Sequence, residues 1–103
     1  MSDELTTASL FGTQIQHMEP LDRVNGFDVR PGFYMFLGAT PIPRGVNFTV
    51  QSKGATSCEL LLYHRKETEP YAVLPFPENY RIGDVYSMIV FGLNVEEFEY
   101  AYR

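Results

Sequence analysis

Apolar and polar side chains alternate in two runs of the stretch GVNFTVQSKGATSCELLLYH, residues 45–64. Each run, at 46–50 and at 58–62, has the period of two that a half-buried β-strand requires. In the second run, however, Leu61 and Tyr63 occupy positions that should be polar where water covers them. This pattern predicts two strands, and it predicts that something other than water covers the outer face of the second.

Further strand-like segments follow at short intervals up to the last residue. They are bounded by turn-type residues such as SKGAT, PENYRIGD and GLN, and no convincing helical period separates them. Short strands at this spacing predict an all-β chain folded as an antiparallel β-sandwich. The predicted strands are 46–52, 57–64, 71–75, 85–91 and 97–103.

The last two predicted strands differ in how many of their faces are apolar. In 85–91 both faces are largely apolar, so this strand is expected to be central or covered on both sides. In 97–103 aromatic residues occupy one face and charged residues the other, as in a half-buried strand. An apolar patch on a sheet usually marks a protein contact. Leu61, Tyr63 and Phe91 are therefore the candidate contact residues.

The length of 103 residues fits one domain. Residues 1–25 are weakly patterned and are expected to form a weakly ordered arm or a short helix, so the regular module is placed at 26–103. Pro41–Pro43 is interpreted as an extended connection to the first strand. Because the last predicted strand reaches Arg103, we expect the chain to be a fragment of a longer protein.

Charge and motifs exclude several classes of function. Thirteen acidic residues against eight basic ones give a net charge of −5, and no basic cluster exceeds Arg65-Lys66. Phosphate backbones and anionic membranes would repel such a surface, so neither nucleic acid nor membrane is an expected partner. The longest uncharged stretch, at 31–43, is too short to span a bilayer and is interrupted by Gly and Pro. The N-terminus has no signal-peptide pattern, which predicts a cytoplasmic protein.

The chemistry-bearing residues are too isolated to predict catalysis, a metal or a cofactor. Cys58 is the only cysteine, and neither His17 nor His64 has neighbours spaced like metal ligands. Glu97 and Glu99, two residues apart on a strand, would be roughly 6.6 Å apart. That separation is close to the carboxylate spacing of inverting glycosidases, but hydrated glutamates ionise together and provide no general acid. No catalytic residue is predicted.

Two tyrosines flank the loop-rich stretch AVLPFPEN. Tyr71 precedes it and Tyr80 follows it. An exposed tyrosine ring can stack on the apolar face of a sugar while its hydroxyl stays in water. The alternative is that both rings cap the ends of the sandwich core.

Two segments carry a resemblance to a known family: LGATPIPRGVNFTVQSKGATSCELLLYH and GDVYSMIVFGLNVEEFEYAYR. Together they resemble the N-terminal isoamylase-type domain, carbohydrate-binding module family 48, of bacterial glycogen debranching enzymes and pullulanases. The specific features are L-G-A-T followed by G-V-N-F, S-x-x-A-x-x-x-E-L before an apolar run, and the closing Y-x-Y-R. The likeness covers residues 27–103.

The resemblance implies an immunoglobulin-like β-sandwich that precedes a (β/α)₈ catalytic barrel of the α-amylase superfamily. Such barrels cleave α-1,6 branch linkages in glycogen or starch-like glucans, and they carry the catalytic carboxylates, so this chain alone is expected to be inert as a hydrolase. Glycan-binding members place tryptophans in the loop after the second strand. This sequence has no Trp, and its corresponding loop reads RKETEP.

Two hypotheses follow for the module. The favoured one is docking on the catalytic barrel of the parent chain through Leu61, Tyr63 and Phe91, and an uncovered face of this kind would also allow the isolated chain to self-associate. The alternative is α-glucan binding, with Tyr63 and Tyr71 as stacking platforms and His64 as a polar neighbour.

Overall fold

The computed structural model describes residues 18–103, and the part of the predicted arm at 1–17 lies outside them. The described chain consists of short antiparallel strands and one 3₁₀ turn, Glu78–Tyr80. The strands are β1 (Asp22–Val24), β2 (Phe27–Pro31), β3 (Gly38–Ile42), β4 (Gly45–Gln51), β5 (Glu59–His64), β6 (Ala72–Pro75), β7 (Arg81–Ile82), β8 (Val85–Phe91) and β9 (Phe98–Tyr102).

The strands form two antiparallel sheets. The larger sheet has the order β1-β2-β8-β4-β3, with β7 also paired to β8, and the smaller sheet has the order β6-β5-β9. The two sheets enclose one apolar core to which both contribute side chains. The predicted all-β, immunoglobulin-like sandwich is confirmed.

All five predicted strands are present, as β4, β5, β6, β8 and β9. Strands β1, β2, β3 and β7 were not predicted. Residues 22–24, which the sequence analysis placed in the arm, form β1, and Pro41 and Ile42 belong to β3 rather than to a connection. β3 tolerates its proline because it is an edge strand, where a missing amide donor leaves no central pairing unmade.

Strand β1 exists because a tight turn connects it to β2. Asn25 and Gly26 form the turn between the paired residues Val24 and Phe27. Both turn residues have positive φ, 47° for Asn25 and 91° for Gly26. Two-residue hairpin turns of this kind favour Asn-Gly, because they match the twist of the flanking strands. The regular structure therefore begins at Asp22.

The core lies between the sheets. Phe48 on β4 is fully buried and contacts two rings of β9, with centroids 6.0 Å from Phe98 and 5.5 Å from Tyr100. Complete burial of large side chains from both sheets supplies the main driving force for folding, about 1.5–3 kcal/mol for each aliphatic or phenyl side chain. The fully buried core side chains include Val29, Val46, Phe48, Leu60, Leu62, Leu74, Tyr80, Met88 and Val90.

The outer face of the β4–β8 pair is buried as well, although its side chains are polar. Asn47 and Ser87 are completely buried and Thr49 is 1% exposed. The covering segment is the β2–β3 connection, residues 32–37. Asn47 Oδ1 accepts a hydrogen bond from the amide of Phe33 at 2.7 Å, and Thr49 Oγ1 donates to the carbonyl of Phe33 at 3.1 Å.

Gly32 allows this connection to approach the sheet closely. A Cβ atom at position 32 would lie 2.3 Å from Ser87 Oγ and 2.4 Å from Asn47 Oδ1. Such distances leave no room for a side chain. The prediction that β8 is covered on both sides is confirmed, and the cover on its outer face comes from the chain itself.

We expect Asn47→Ala to destabilise the fold. The substitution removes the hydrogen bonds of the completely buried Asn47 side chain to the Phe33 amide at 2.7 Å and to Thr49 Oγ1 at 3.1 Å, and each lost hydrogen bond typically costs about 0.5–1.5 kcal/mol. Chemical denaturation should show a lower midpoint with an unchanged slope. Asn79→Ala, at an exposed position of the 3₁₀ turn, is the matched control and should leave the midpoint unchanged. Equal midpoints for the two variants would contradict the role of Asn47.

Candidate functional site

The three predicted contact residues do not share one face. Leu61 and Tyr63 lie on β5 in the smaller sheet, whereas Phe91 ends β8 in the larger sheet. Leu61 is 6% exposed and Phe91 is 8% exposed, so neither offers much surface to a partner.

Neighbouring residues of the same chain account for this burial. Leu61 stands in register between Val73 on β6 and Ala101 on β9, and such cross-strand neighbours cover a central-strand side chain. The guanidinium carbon of Arg44 lies 5.1 Å from the centre of the Phe91 ring. Leu61 and Phe91 are therefore largely covered within the module, whereas Tyr63 is half-buried.

The predicted sugar-contacting residues are brought together in part. His64 ends β5 and Tyr71 directly precedes β6, and their rings stack with centroids 4.0 Å apart and an interplanar angle of 10°. The backbone amide of Tyr71 donates to the carbonyl of Leu62 at 2.8 Å, and this hydrogen bond holds Tyr71 beside the end of β5. Tyr63 is half-buried and, one residue before His64, points to the opposite face of the strand. Tyr63 is therefore not part of the stacked pair.

The stacked pair lines a cleft of about 230 Å³ at one end of the sandwich. We call it the Tyr71 cleft. The β8–β9 connection, residues 92–97, forms its opposite wall and contributes Leu93, Asn94 and Glu97. The cleft therefore combines an aromatic pair with an amide and a carboxylate. Phe27, Gly92 and Phe98 complete its lining.

The phenol of Tyr71 stays neutral in this cleft. Burial raises its pKa above the ordinary tyrosine value, and the negative charge of Glu97 raises it further. Tyr71 is nevertheless 40% exposed, so part of the side chain remains accessible. A neutral hydroxyl, an amide and a carboxylate beside two rings can hold a neutral ligand that is rich in hydroxyl groups.

Tyr80 does not contact the cleft; its ring is part of the core, as the second interpretation of the two flanking tyrosines predicts. It is completely buried, and its hydroxyl donates to Asp22 Oδ2 at 2.5 Å. Burial and this hydrogen bond raise the pKa of Tyr80. Tyr80 is a core residue that ties the 3₁₀ turn to β1, and it takes no part in the cleft.

The cleft residues from the β8–β9 connection were missed by the sequence reasoning. GLN was identified there only as a turn signal, and Asn94 does form that turn: its Oδ1 accepts from the amide of Glu96 at 3.0 Å. Nothing local in the sequence indicates that this turn faces His64 and Tyr71, because they are brought together only by the packing of the two sheets.

Residues 18–103 contain neither a metal-binding cluster nor a membrane-spanning helix. Within them, no three or more His, Cys, Asp or Glu side chains are grouped so that they could hold a metal ion. In the same residues no helix has the length and apolarity needed to cross a bilayer.

Comparison with known families identifies the last two thirds of the chain. The family model for carbohydrate-binding module 48, the isoamylase N-terminal domain, matches residues 36–103, which is more than half of the chain. No curated protein matches the chain. Modules of this family are non-catalytic and often stand N-terminal to glycoside hydrolase domains. The chain belongs to the carbohydrate-binding module 48 family.

Proposed function

We propose that the chain binds α-glucan through the Tyr71 cleft. The observation that carries the proposal is the stack of His64 on Tyr71 beside a cleft that also presents Asn94 and Glu97. Membership of a carbohydrate-binding family supports a sugar as the ligand. The α-glucan class rests on the resemblance to modules of glycogen- and starch-degrading enzymes.

The stacked rings make a pre-organised platform. Because the two rings are nearly parallel, His64 restrains rotation of the Tyr71 side chain. A side chain that is already ordered loses less conformational entropy when a ligand arrives. The C–H face of a glucose unit packs on such a ring while the tyrosine hydroxyl stays accessible.

The polar groups of the cleft suit sugar hydroxyls. The carboxylate of Glu97 accepts hydrogen bonds, and bonds to a charged acceptor are stronger than neutral ones. The side-chain amide nitrogen of Asn94 can donate to a sugar hydroxyl, while its Oδ1 accepts from the amide of Glu96. A net charge of −5 disfavours anionic ligands, so a neutral sugar fits the cleft better than a phosphorylated one.

Tyr71→Ala should weaken the binding of maltoheptaose. Loss of the platform ring removes packing worth about 1–2 kcal/mol, which corresponds to a roughly tenfold higher Kd. Isothermal titration calorimetry of the two proteins measures this difference.

The matched control is Tyr100→Ala. Tyr100 has the same exposed fraction as Tyr71, 40%, but it lies on β9 outside the cleft. Its removal should leave the Kd unchanged, with folding verified by the dispersion of the amide NMR spectrum. Binding that survives Tyr71→Ala in a folded protein would overturn the proposal.

A second candidate function is packing on the catalytic barrel of a parent α-1,6-glucan debranching enzyme, of glycogen debranching or pullulanase type. The observation that favours it is the exposed apolar segment Met35-Phe36-Leu37. Met35 is 79% exposed and Leu37 is 65% exposed. Consecutive exposed apolar side chains are typical of a contact surface.

We propose this surface in place of the one predicted from the strands. The connection that carries it is held by Asn47, which accepts from the amide of Phe33. The segment is thus presented on a fixed support, in contrast to Leu61 and Phe91, which are buried within the module.

In a protein that joins this module to its catalytic domain, we expect Met35→Glu together with Leu37→Glu to loosen the interface. Moving a charged carboxylate from water into an apolar contact costs free energy, so the two glutamates should weaken the contact. Limited proteolysis should then cut between the two domains at least several-fold faster. Ile82→Glu is the control, because Ile82 in β7 is also exposed, at 62%; this variant should be cut at the original rate. Equal rates for all three proteins would contradict packing through this segment.

A further inference from the structure

A second cleft lies on the other side of the β8–β9 connection. It has a volume of about 330 Å³. One wall is the β3–β4 turn, where Pro43 and Arg44 join the paired residues Ile42 and Gly45. The other wall is residues 93–95 of the connection. We call it the Val95 cleft, because Val95 lines it and does not line the Tyr71 cleft.

We infer that an α-glucan chain bound in the Tyr71 cleft continues over Asn94 into the Val95 cleft, so that the module prefers long linear glucans to short ones. This inference rests on the proposed function and adds a second binding site to it. It is carried by the continuity of the two clefts, because Leu93 and Asn94 line both.

Asn94 is fixed as the ridge between the clefts. Its carbonyl accepts from the amide of Glu97 at 2.9 Å, and its Oδ1 accepts from the amide of Glu96 at 3.0 Å. With Oδ1 engaged in the turn, the side-chain amide nitrogen makes no hydrogen bond to another residue of 18–103. A fixed donor at the junction of two clefts is placed to bind a hydroxyl of the sugar unit that crosses it.

The Val95 cleft combines apolar walls with polar groups. Prolines 41 and 43, Leu93 and Val95 supply apolar walls, and Arg44 supplies a polar group. No Asp or Glu is among its lining residues. Its volume lies at the lower end of the range of small-molecule sites, about 300–1,000 Å³.

Arg44 is held in position within this cleft. Its guanidinium donates to the carbonyl of Met18 and lies over the Phe91 ring. The wall that it forms therefore needs no rearrangement before a ligand arrives.

Chain length should decide whether one ligand reaches both clefts. A short oligosaccharide fills the Tyr71 cleft alone. For a longer chain the second contact is intramolecular, so it adds affinity without a second loss of translational freedom. We therefore expect maltoheptaose to bind about tenfold more tightly than maltotriose.

The test is a pair of NMR titrations of the isotope-labelled chain. Maltotriose should shift the amides of His64 and Tyr71 but not those of Gly45 and Val95, whereas maltoheptaose should shift all four. Val95→Asp should remove most of the affinity gained with maltoheptaose. Ile82→Asp, at the opposite end of β8 from the clefts, is the control and should retain the gain.

The outcomes separate the inference from the proposed function. Equal affinities for both sugars, with an unmoved Val95 amide and binding that still depends on Tyr71, would overturn the inference alone. Shifts at Val95 that persist in Tyr71→Ala with undiminished affinity would overturn both, because the ligand would not then pass through the Tyr71 cleft. The comparison of the two sugars uses the unaltered chain and does not depend on the folding of any variant.

Discussion

Burial of both faces of the β4–β8 pair is the constraint on which the rest of the molecule depends. The inner face packs in the core, while the outer face presents Asn47, Thr49 and Ser87, which are polar and shielded from water. Buried polar groups are tolerated only when they are hydrogen-bonded, so the covering segment must supply partners in a fixed arrangement. Residues 32–37 do this, and Gly32 is the position at which the approach is closest. The polar trio thereby helps to determine the path of the connection, together with the hydrogen bond from the Tyr34 hydroxyl to the carbonyl of Tyr80.

The same strand pair determines where the clefts form. The pairing of Gly45 with Phe91 places the β3–β4 turn beside the start of the β8–β9 connection. This approach is tight, since a Cβ atom at position 45 would lie 2.1 Å from the carbonyl oxygen of Val90. The connection then crosses to the smaller sheet, where Phe98 pairs with His64. Its crossing leaves a cleft on each side, and the geometry of both follows from the register of the strands.

Residues whose role is local were predictable, and residues brought together by packing were not. Strand β8 could be identified because an apolar residue at nearly every position implies cover on both faces. Asn25-Gly26 is a strong hairpin signal, but β1 is only three residues long and has too few positions to show a period.

The grouping of the candidate contact and cleft residues depends on tertiary structure. Leu61 and Phe91 both occupy outward-facing positions of their predicted strands, but this alternation does not tell which sheet each strand joins. His64 and Tyr71 were both candidate sugar residues, but the stack of one on the other depends on the hairpin between β5 and β6. The membership of Asn94 and Glu97 in the same cleft depends on the crossing of the sheets.

Under the proposed function, the composition of the platform bears on how the module would bind a sugar. The chain has no tryptophan, and the single ring of Tyr71 offers less apolar area to a sugar than an indole would. The stack of His64 on Tyr71 would offset part of this smaller contact area, because a side chain that is already restrained loses less conformational entropy on binding. Restraint of the ring adds no contact with the ligand, however. In the proposed mode of binding, a ligand held mainly by one small platform would gain affinity by extending along the surface, and a rigid ridge with a cleft on each side would provide that surface.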